Sequence, residues 1–402
     1  MMQWLIKEVK NKLKIKKWYQ FIINVVKKAY MFSVNKVIGV QENKIVFISF
    51  GGNFYSDNPR AISEKLHEML PDFEIVWLLN NLEKREIVPE YVRIVKNGLL
   101  IGLKELATAK FWVDNFTKPI YTYKSKEQIY IQTWHGDRGF KKVLYDSSFL
   151  LPNTRYIESD MCDLFISGSD YGDNKFRSAF RYYGQIIKSG CPRNDLLIEN
   201  NENKKKVVKK NLKISGSTSV LLYAPTLRRE AAKESKLQSN DIDLSLVIDA
   251  LEQKTNKDWV CLVRAHSAVK GLQGIPIDDF RICDVTSYED MSELLLVSDF
   301  LITDYSSSAG DFILLNRPVV LIQSDREDYI KHDRTFYFDI DKSPYLIAKT
   351  QEKLINLIQR MDWTTIPQNC EEIRAFYGTV ESGEASKKVV EYIISKRHKE
   401  SG

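Results

Sequence analysis

The sequence predicts an α/β protein of two domains, each a largely parallel sheet wound with helices, and three observations carry that prediction. From Lys44 onward, short apolar runs alternate with longer amphipathic stretches, the signature of βα units. The pattern occurs twice, with a polar, lysine-rich stretch from Glu199 to Lys213 between the two runs. The chain's 402 residues, 44% hydrophobic and 28% charged, also exceed the roughly 250–300 residues at which a single core stops growing.

The first 38 residues stand apart. They carry nine lysines against one acid, Glu8, interleaved with apolar side chains. This composition suits a basic amphipathic helix in a membrane interface, with Trp4 and Trp18 at the headgroups and Lys7, Lys10, Lys14 and Lys17 against anionic lipid. No apolar run there approaches the roughly 20 residues needed to cross a bilayer, and no small-residue cleavage site follows. The alternative is an ordinary helix packed on the first domain with solvated lysines.

Strands are expected in the first domain, 39–198, at Lys44 to Phe50, Glu74 to Leu79, Val92 to Val95, Lys110 to Asp114, Gln128 to Thr133, Asp163 to Ser167 and Gln185 to Ser189. Residues 199–215 form the linker, with Asn200, Asn201 and Asn203 as breakers around one charged helix. The second domain, 216–385, places strands at Ser219 to Ala224, Trp259 to Arg264, Phe280 to Val285, Phe300 to Thr303 and Pro318 to Ile322. Residues 386–402 are a C-terminal helix or tail.

Open α/β sheets bind ligands beyond the carboxyl ends of their strands, so the polar residues at those exits form the chemical inventory. Gln128 to Thr133 delivers Trp134-His135-Gly136, and the strand from Trp259 delivers Arg264-Ala265-His266. Two imidazoles at strand exits suggest one cleft. Thr226 and Arg228 follow Ala224, and Phe300 to Thr303 runs into Asp304-Tyr305-Ser306-Ser307-Ser308. A serine-rich turn opening a helix offers unpaired N–H groups, the positive end of the helix dipole and hydroxyls, which make an anion site without metal. Its plainer reading is a serine N-cap, but Arg228, Arg264 and His266 converge on the same sheet edge. Gly51-Gly52-Asn53 lacks phosphate-loop spacing and reads as a tight turn.

Several classes are disfavoured. The five cysteines lie far apart without CxxC or zinc spacing, which suits a reduced, cytoplasmic protein with no disulfide framework or structural metal. No GxSxG or HExxH occurs. The net charge of +6 is modest for the length and does not point to nucleic acid.

Trp134-His135-Gly136, Gly190-Cys191-Pro192-Arg193-Asn194-Asp195, Tyr223-Ala224-Pro225-Thr226, Arg264-Ala265-His266 and Leu301 to Ser307 with Arg317-Pro318 together resemble the CDP-glycerol glycerophosphotransferase family of teichoic acid synthesis, in order and spacing, over residues 45 to 340. The resemblance implies a GT-B fold, two Rossmann-like domains facing a cleft, and a membrane-associating N-terminal segment. It implies transfer of glycerol phosphate, or in relatives ribitol phosphate, from CDP-glycerol or CDP-ribitol to an undecaprenyl-diphosphate-linked acceptor; separately, no cofactor or metal ligand is expected from the residues. His135 is then the general base, because imidazole titrates near working pH, and His266 the second catalytic residue.

The same resemblance places substrate contacts at Trp134, Gly136, Arg193, Thr226, Arg228 and Arg264, and further ones at Asp304, Ser306, Ser307, Arg317, Asp325 and Arg334. Where the family has Thr-Pro after Trp-His-Gly, this chain has Asp137-Arg138-Gly139-Phe140-Lys141-Lys142; Asp137 either orients His135 or is a solvated turn residue. Three alternatives stay open: a CDP-ribitol ribitolphosphotransferase, a nucleotide-sugar glycosyltransferase of the same fold, and a peripheral membrane protein whose clefts bind lipid phosphates without chemistry.

Overall fold

The computed structural model describes residues 2–151, 154–226, 228, 242–265 and 279–397, with the backbone alone for 2–15 and Lys84. It contains two parallel sheets. The first has seven strands in the order β3-β2-β1-β4-β5-β6-β7, namely β1 Gln41–Ile48, β2 Glu74–Leu79, β3 Arg93–Lys96, β4 Ala109–Asp114, β5 Ile129–Gln132, β6 Leu164–Ser167 and β7 Gln185–Lys188. The second has six in the order β10-β9-β8-β11-β12-β13, namely β8 Ser219–Ala224, β9 Trp259–Val263, β10 Ile282–Asp284, β11 Phe300–Thr303, β12 Val319–Ile322 and β13 Leu346–Ala348. Every expected strand is present. β13 was not anticipated, since three residues give too short an apolar run to stand out.

Helices cover both faces of the first sheet, so its strands are apolar on both sides. Along β1, Ile45 and Phe47 enter one core with Ile62 and Leu66 of helix Asp57–Met69. Val46 and Ile48 enter the other, with Leu103 and Leu106 of helix Leu100–Thr108. Among the described side chains of helix Met2–Ile38, those near its end join that core, through Met31 and the Asn35 side chain, which donates to the Ala107 carbonyl at 2.8 Å. Residues 16–22 are exposed on every side of the helix.

The linker holds helix Glu202–Asn211, whose Val208 packs into the second core. The chain then returns at its end. Helix Ala385–Arg397 lays Val389, Val390 and Ile393 onto the first sheet's core, its first N–H groups held by the Asp195 carboxylate at 2.9 and 2.7 Å. Between β5 and β6, Phe140 leaves the first domain and buries itself in the second core beside Phe338 and Tyr345. There Lys141 bridges to Phe336, Lys142 N–H donates to Thr335 O, and Tyr337 N–H donates to Phe140 O.

Candidate active site

In each sheet, strand order reverses between two neighbours whose carboxyl ends open a crevice: β1 and β4 in the first, β8 and β11 in the second. Side chains pin both. Asn115, just past β4, accepts from Phe50 N–H at 2.7 Å and donates to Ser49 Oγ at 3.2 Å. Asp304, just past β11, is fully buried and accepts from Thr226 N–H and from Thr226 Oγ1 at 2.6 Å.

Trp134 occupies the left-handed region at φ 50°, a conformation that costs a non-glycine residue about 1–3 kcal/mol. It is held by Gln132 Oε1, which accepts from Trp134 N–H at 2.8 Å, and by Asn58 Nδ2, which donates to Trp134 O at 3.0 Å. That turn brings His135 back over the β4 exit, where its Nδ1 lies 2.7 Å from Asn115 O. A carbonyl only accepts, so Nδ1 carries the proton and Nε2 keeps its lone pair. The rings of Trp134, Phe50 and Phe116 surround the imidazole at centroid distances of 4.0, 5.4 and 6.0 Å. Part of the ring's surface stays open, yet burial under this shell pushes its pKa down to about 4, with the positive charges of Arg193, Lys175 and Lys141 adding to the effect. His135 is therefore a neutral base at physiological pH.

The two domains meet at that base. A Cβ built on Gly136 would lie 2.5 Å from Ser307 Oγ and 2.9 Å from Ser307 Cβ, so the loop and the serine turn touch and only glycine fits. Ser307 is the N-cap of helix Ser308–Phe312 and makes no side-chain cap bond. The turn is not a row of unpaired N–H groups as expected, because Ser308 N–H meets Ser306 Oγ, Ala309 N–H meets Ser306 O and Gly310 N–H meets Ser307 O. What remains for a ligand is the Ser307 hydroxyl and, at the helix end, the N–H groups of Ser306 and Ser307.

Other expected contacts fall into place differently. Arg228 bonds Asp304 at 2.8 Å and Asp325 at 2.7 Å and lies over the Tyr305 and Tyr329 rings; with Thr226 these residues brace the crevice wall. Arg264 sits beside it and donates to the carbonyls of Tyr288 and Val285. Arg334 neighbours Lys141, whose ammonium burial, with Arg334 as the next cause, pushes down to about 8. Two placements correct the sequence reading. Arg193 is drawn into a buried ion network, pairing with Asp311 at 2.9 Å and Asp57 at 3.3 Å. Arg317 precedes β12 and therefore lies at the amino-terminal edge of the sheet, away from the crevice, where it caps the carbonyls of Leu296 and Ser298. His266 lies outside the described residues, as do the side chains of Trp4, Lys7, Lys10 and Lys14; Lys17 and Trp18 are exposed.

Asp137 neither orients His135 nor faces solvent. It is buried, with Oδ2 accepting from Gly168 N–H and Ser169 Oγ at 2.9 Å each. Arg138 beside it has no exposed side-chain surface and pairs with Asp311 at 2.8 Å and Glu381 at 2.7 Å. Asp311 thus joins both arginines of the first domain to the second. Sequence reasoning missed three contributors. The Asn115 carbonyl orients the base, and the signal was available in a polar pair, Asp114-Asn115, at the exit of a strand. Lys175 Nζ donates to Gly136 O at 2.6 Å, and burial pushes its pKa down to about 8. Nothing local marked Lys175, which lies mid-helix in Asp170–Ala179. Lys141 was visible only as a departure from the family pattern.

Two Rossmann-like domains facing a crevice, with a neutral histidine on one rim and a serine turn on the other, define a protein of the GT-B fold class. The chain belongs to the CDP-glycerol:poly(glycerophosphate) glycerophosphotransferase family, whose profile matches residues 29–395. It is 33% identical to the teichoic acid poly(glycerol phosphate) polymerase of Bacillus spizizenii, covering 90% of this chain and 95% of that protein. It is 34% identical to the teichoic acid glycerol-phosphate transferase of Staphylococcus aureus, covering 88% and 93%. The match to the Bacillus subtilis polymerase, 32% identical, takes in 98% of this chain but only 55% of that longer protein. The structure is similar to that of the wall teichoic acid polymerase TagF, with a TM-score of 0.80 at 30% identity over 99% of each chain. A UDP-GlcNAc 2-epimerase from Neisseria meningitidis, at 15% identity and a TM-score of 0.52, shares the fold alone.

Proposed function

We propose that this enzyme transfers glycerol phosphate from CDP-glycerol to a hydroxyl of a lipid-linked teichoic acid acceptor, releasing CMP. The acceptor oxygen attacks the phosphorus that bears glycerol, the bond from that phosphorus to the CMP oxygen breaks, and Nε2 of His135 takes the acceptor proton. The observation that carries this reading is His135 itself: a neutral imidazole with its tautomer set by Asn115 O, on a loop in contact with Ser307. Charge on the transferring and leaving phosphates calls for fixed donors. Lys141, Arg334, Arg264 and the Ser307 hydroxyl are suited to supply them, while Arg228 and Asp304 keep the wall rigid.

Helix 2–38 is proposed to rest on the anionic cytoplasmic face of the cell membrane. Trp18, Tyr19 and Phe21 are each more than 60% exposed beside Lys16 and Lys17, and among the described residues no helix is long and apolar enough to cross a bilayer. The test is CMP release from CDP-glycerol by the full chain with a lipid-linked acceptor on liposomes, for wild type and His135→Ala. Acceptor-dependent release that the variant loses supports the proposal. Absence of release with CDP-glycerol, together with CMP release from CDP-ribitol or nucleoside diphosphate release from a nucleotide sugar, overturns it.

A further inference from the structure

A second basic surface lies at the amino-terminal edge of the second sheet. Lys205, Lys206, Lys209 and Lys210 of helix Glu202–Asn211, with Lys213 and Arg317, line a groove of about 940 Å³. Both carboxylates that reach it are engaged: Glu202 with Lys205 at 2.5 Å, and Asp299 with Val220 N–H at 2.9 Å. Lys209 Nζ donates to the carbonyls of Gly216 and Thr218 and fixes one wall. A second cavity of about 460 Å³ shares Asp299 and Arg317 with the groove and adds Lys254 and Lys257. The cations therefore form a track rather than a single site.

Lys213 has a φ of 59°, in the left-handed region where glycine is at ease and a lysine is strained. It nonetheless stands among the residues that line the groove.

We infer that this groove holds a phosphodiester polymer, a stretch of the anionic chain being extended, through two or more of its phosphates. The inference rests on the glycerol phosphate transfer proposed above. Lysines are compact charges on flexible stems and suit phosphates that recur along a mobile chain. A bilayer does not fit the same surface. The groove is concave, and its apolar residues Leu296 and Val297 are buried in the floor. Helix Met291–Val297 runs from Asp290, which pairs with Arg60 across the domain interface, to the groove at its other end. Seven residues span about 10 Å. A polymer held there stays tethered to the enzyme between additions, which raises the effective concentration of its growing end.

The experiment uses the full chain and fluorescein-labelled poly(glycerol phosphate) fragments of defined length, read by anisotropy. Glycerol 3-phosphate serves as the single-charge control, and vesicles containing phosphatidylglycerol are the lipid arm. The variant Lys206→Glu/Lys210→Glu/Lys213→Glu is expected to bind the polymer at least about tenfold more weakly, to bind vesicles as wild type does, and to make shorter products at an unchanged single-addition rate. Lys213→Gly relieves the backbone, so it should keep or raise the melting temperature while weakening polymer binding, which separates the groove's role from folding. Wild-type polymer affinity in the triple variant overturns the inference. Parallel loss of vesicle binding overturns it too, and makes the surface a lipid contact. If wild type releases no CMP from CDP-glycerol, the transfer reading fails, and the polymer-binding arm still decides the groove.

Discussion

The contact between Gly136 and Ser307 can be broken and restored deliberately. Gly136 does not occupy the left-handed region, so alanine is opposed there only by its neighbour. The new Cβ would stand 2.9 Å from Ser307 Cβ, whereas ordinary carbon contacts lie at about 3.5–4.0 Å. The hydroxyl can rotate away, but the Cβ cannot, so the loop and the turn must part by roughly 1 Å at a strain of about 1–3 kcal/mol. A displacement of that size between a base and the groups that hold its substrate can cost about 10²-fold in rate. Gly136→Ala is therefore expected to lose about two orders of magnitude in CMP release with only a modest fall in melting temperature. Ser307→Gly removes the opposing atoms, so the alanine should cost nothing further when the double variant is compared with Ser307→Gly alone. Full activity in Gly136→Ala, or a double variant that loses a further hundredfold relative to Ser307→Gly alone, would refute the shared-site geometry.

Other perturbations test separate parts of the structure. With His135 neutral above about pH 4 and the cation on Lys141 lost above about pH 8, CMP release should be flat between those values. Lys141→Arg should hold activity further into alkali, whereas an acid limb near 6.5 would contradict the buried base. Asp311→Asn removes the carboxylate shared by Arg138 and Arg193, although Arg138 keeps Glu381 and Arg193 keeps Asp57. The cost should fall at the lower end of the roughly 3–5 kcal/mol of a broken buried pair. By calorimetry that is a melting shift of about 3–4 °C for a unit of 402 residues, and a shift under about 1 °C would show the network to be dispensable. Lys16→Gln with Lys17→Gln should weaken binding to phosphatidylglycerol vesicles by about 30-fold, at about 1 kcal/mol per lysine; unchanged binding would return the helix to an ordinary solvated role.

The strands were legible because a parallel sheet covered on both faces needs continuous apolar runs, and runs such as Ile45 to Ile48 have few other uses. The histidine was legible for a related reason, since a polar residue directly after such a run can only sit at the sheet's edge. The same rule, applied with direction, disposes of Arg317: a residue before a strand faces the opposite edge. The roles of Arg193 and Asp304 were not legible. Each is a charged residue in a loop, and whether its partner is a substrate or Asp311 or Thr226 depends on contacts more than 70 residues away in sequence. Asp137 shows the same limit, because its partners lie on the β6 exit, out of reach of any local pattern.

The six residues from His135 to Phe140 combine functions that the sequence displays one after another. They hold the base, the glycine against Ser307, the arginine that reaches Asp311, and an aromatic anchor buried in the other domain. Helix 385–397 ties the end of the chain back to the first sheet. Rotating one domain on the linker alone would have to withdraw Phe140 from the second core and break a buried ion network, each a cost of several kcal/mol. The spacing between His135 and Ser307 is thus set by the fold and not by closure around substrate. Substrate binding energy is then not needed to assemble the site, and can instead be directed at the phosphoryl group as it transfers.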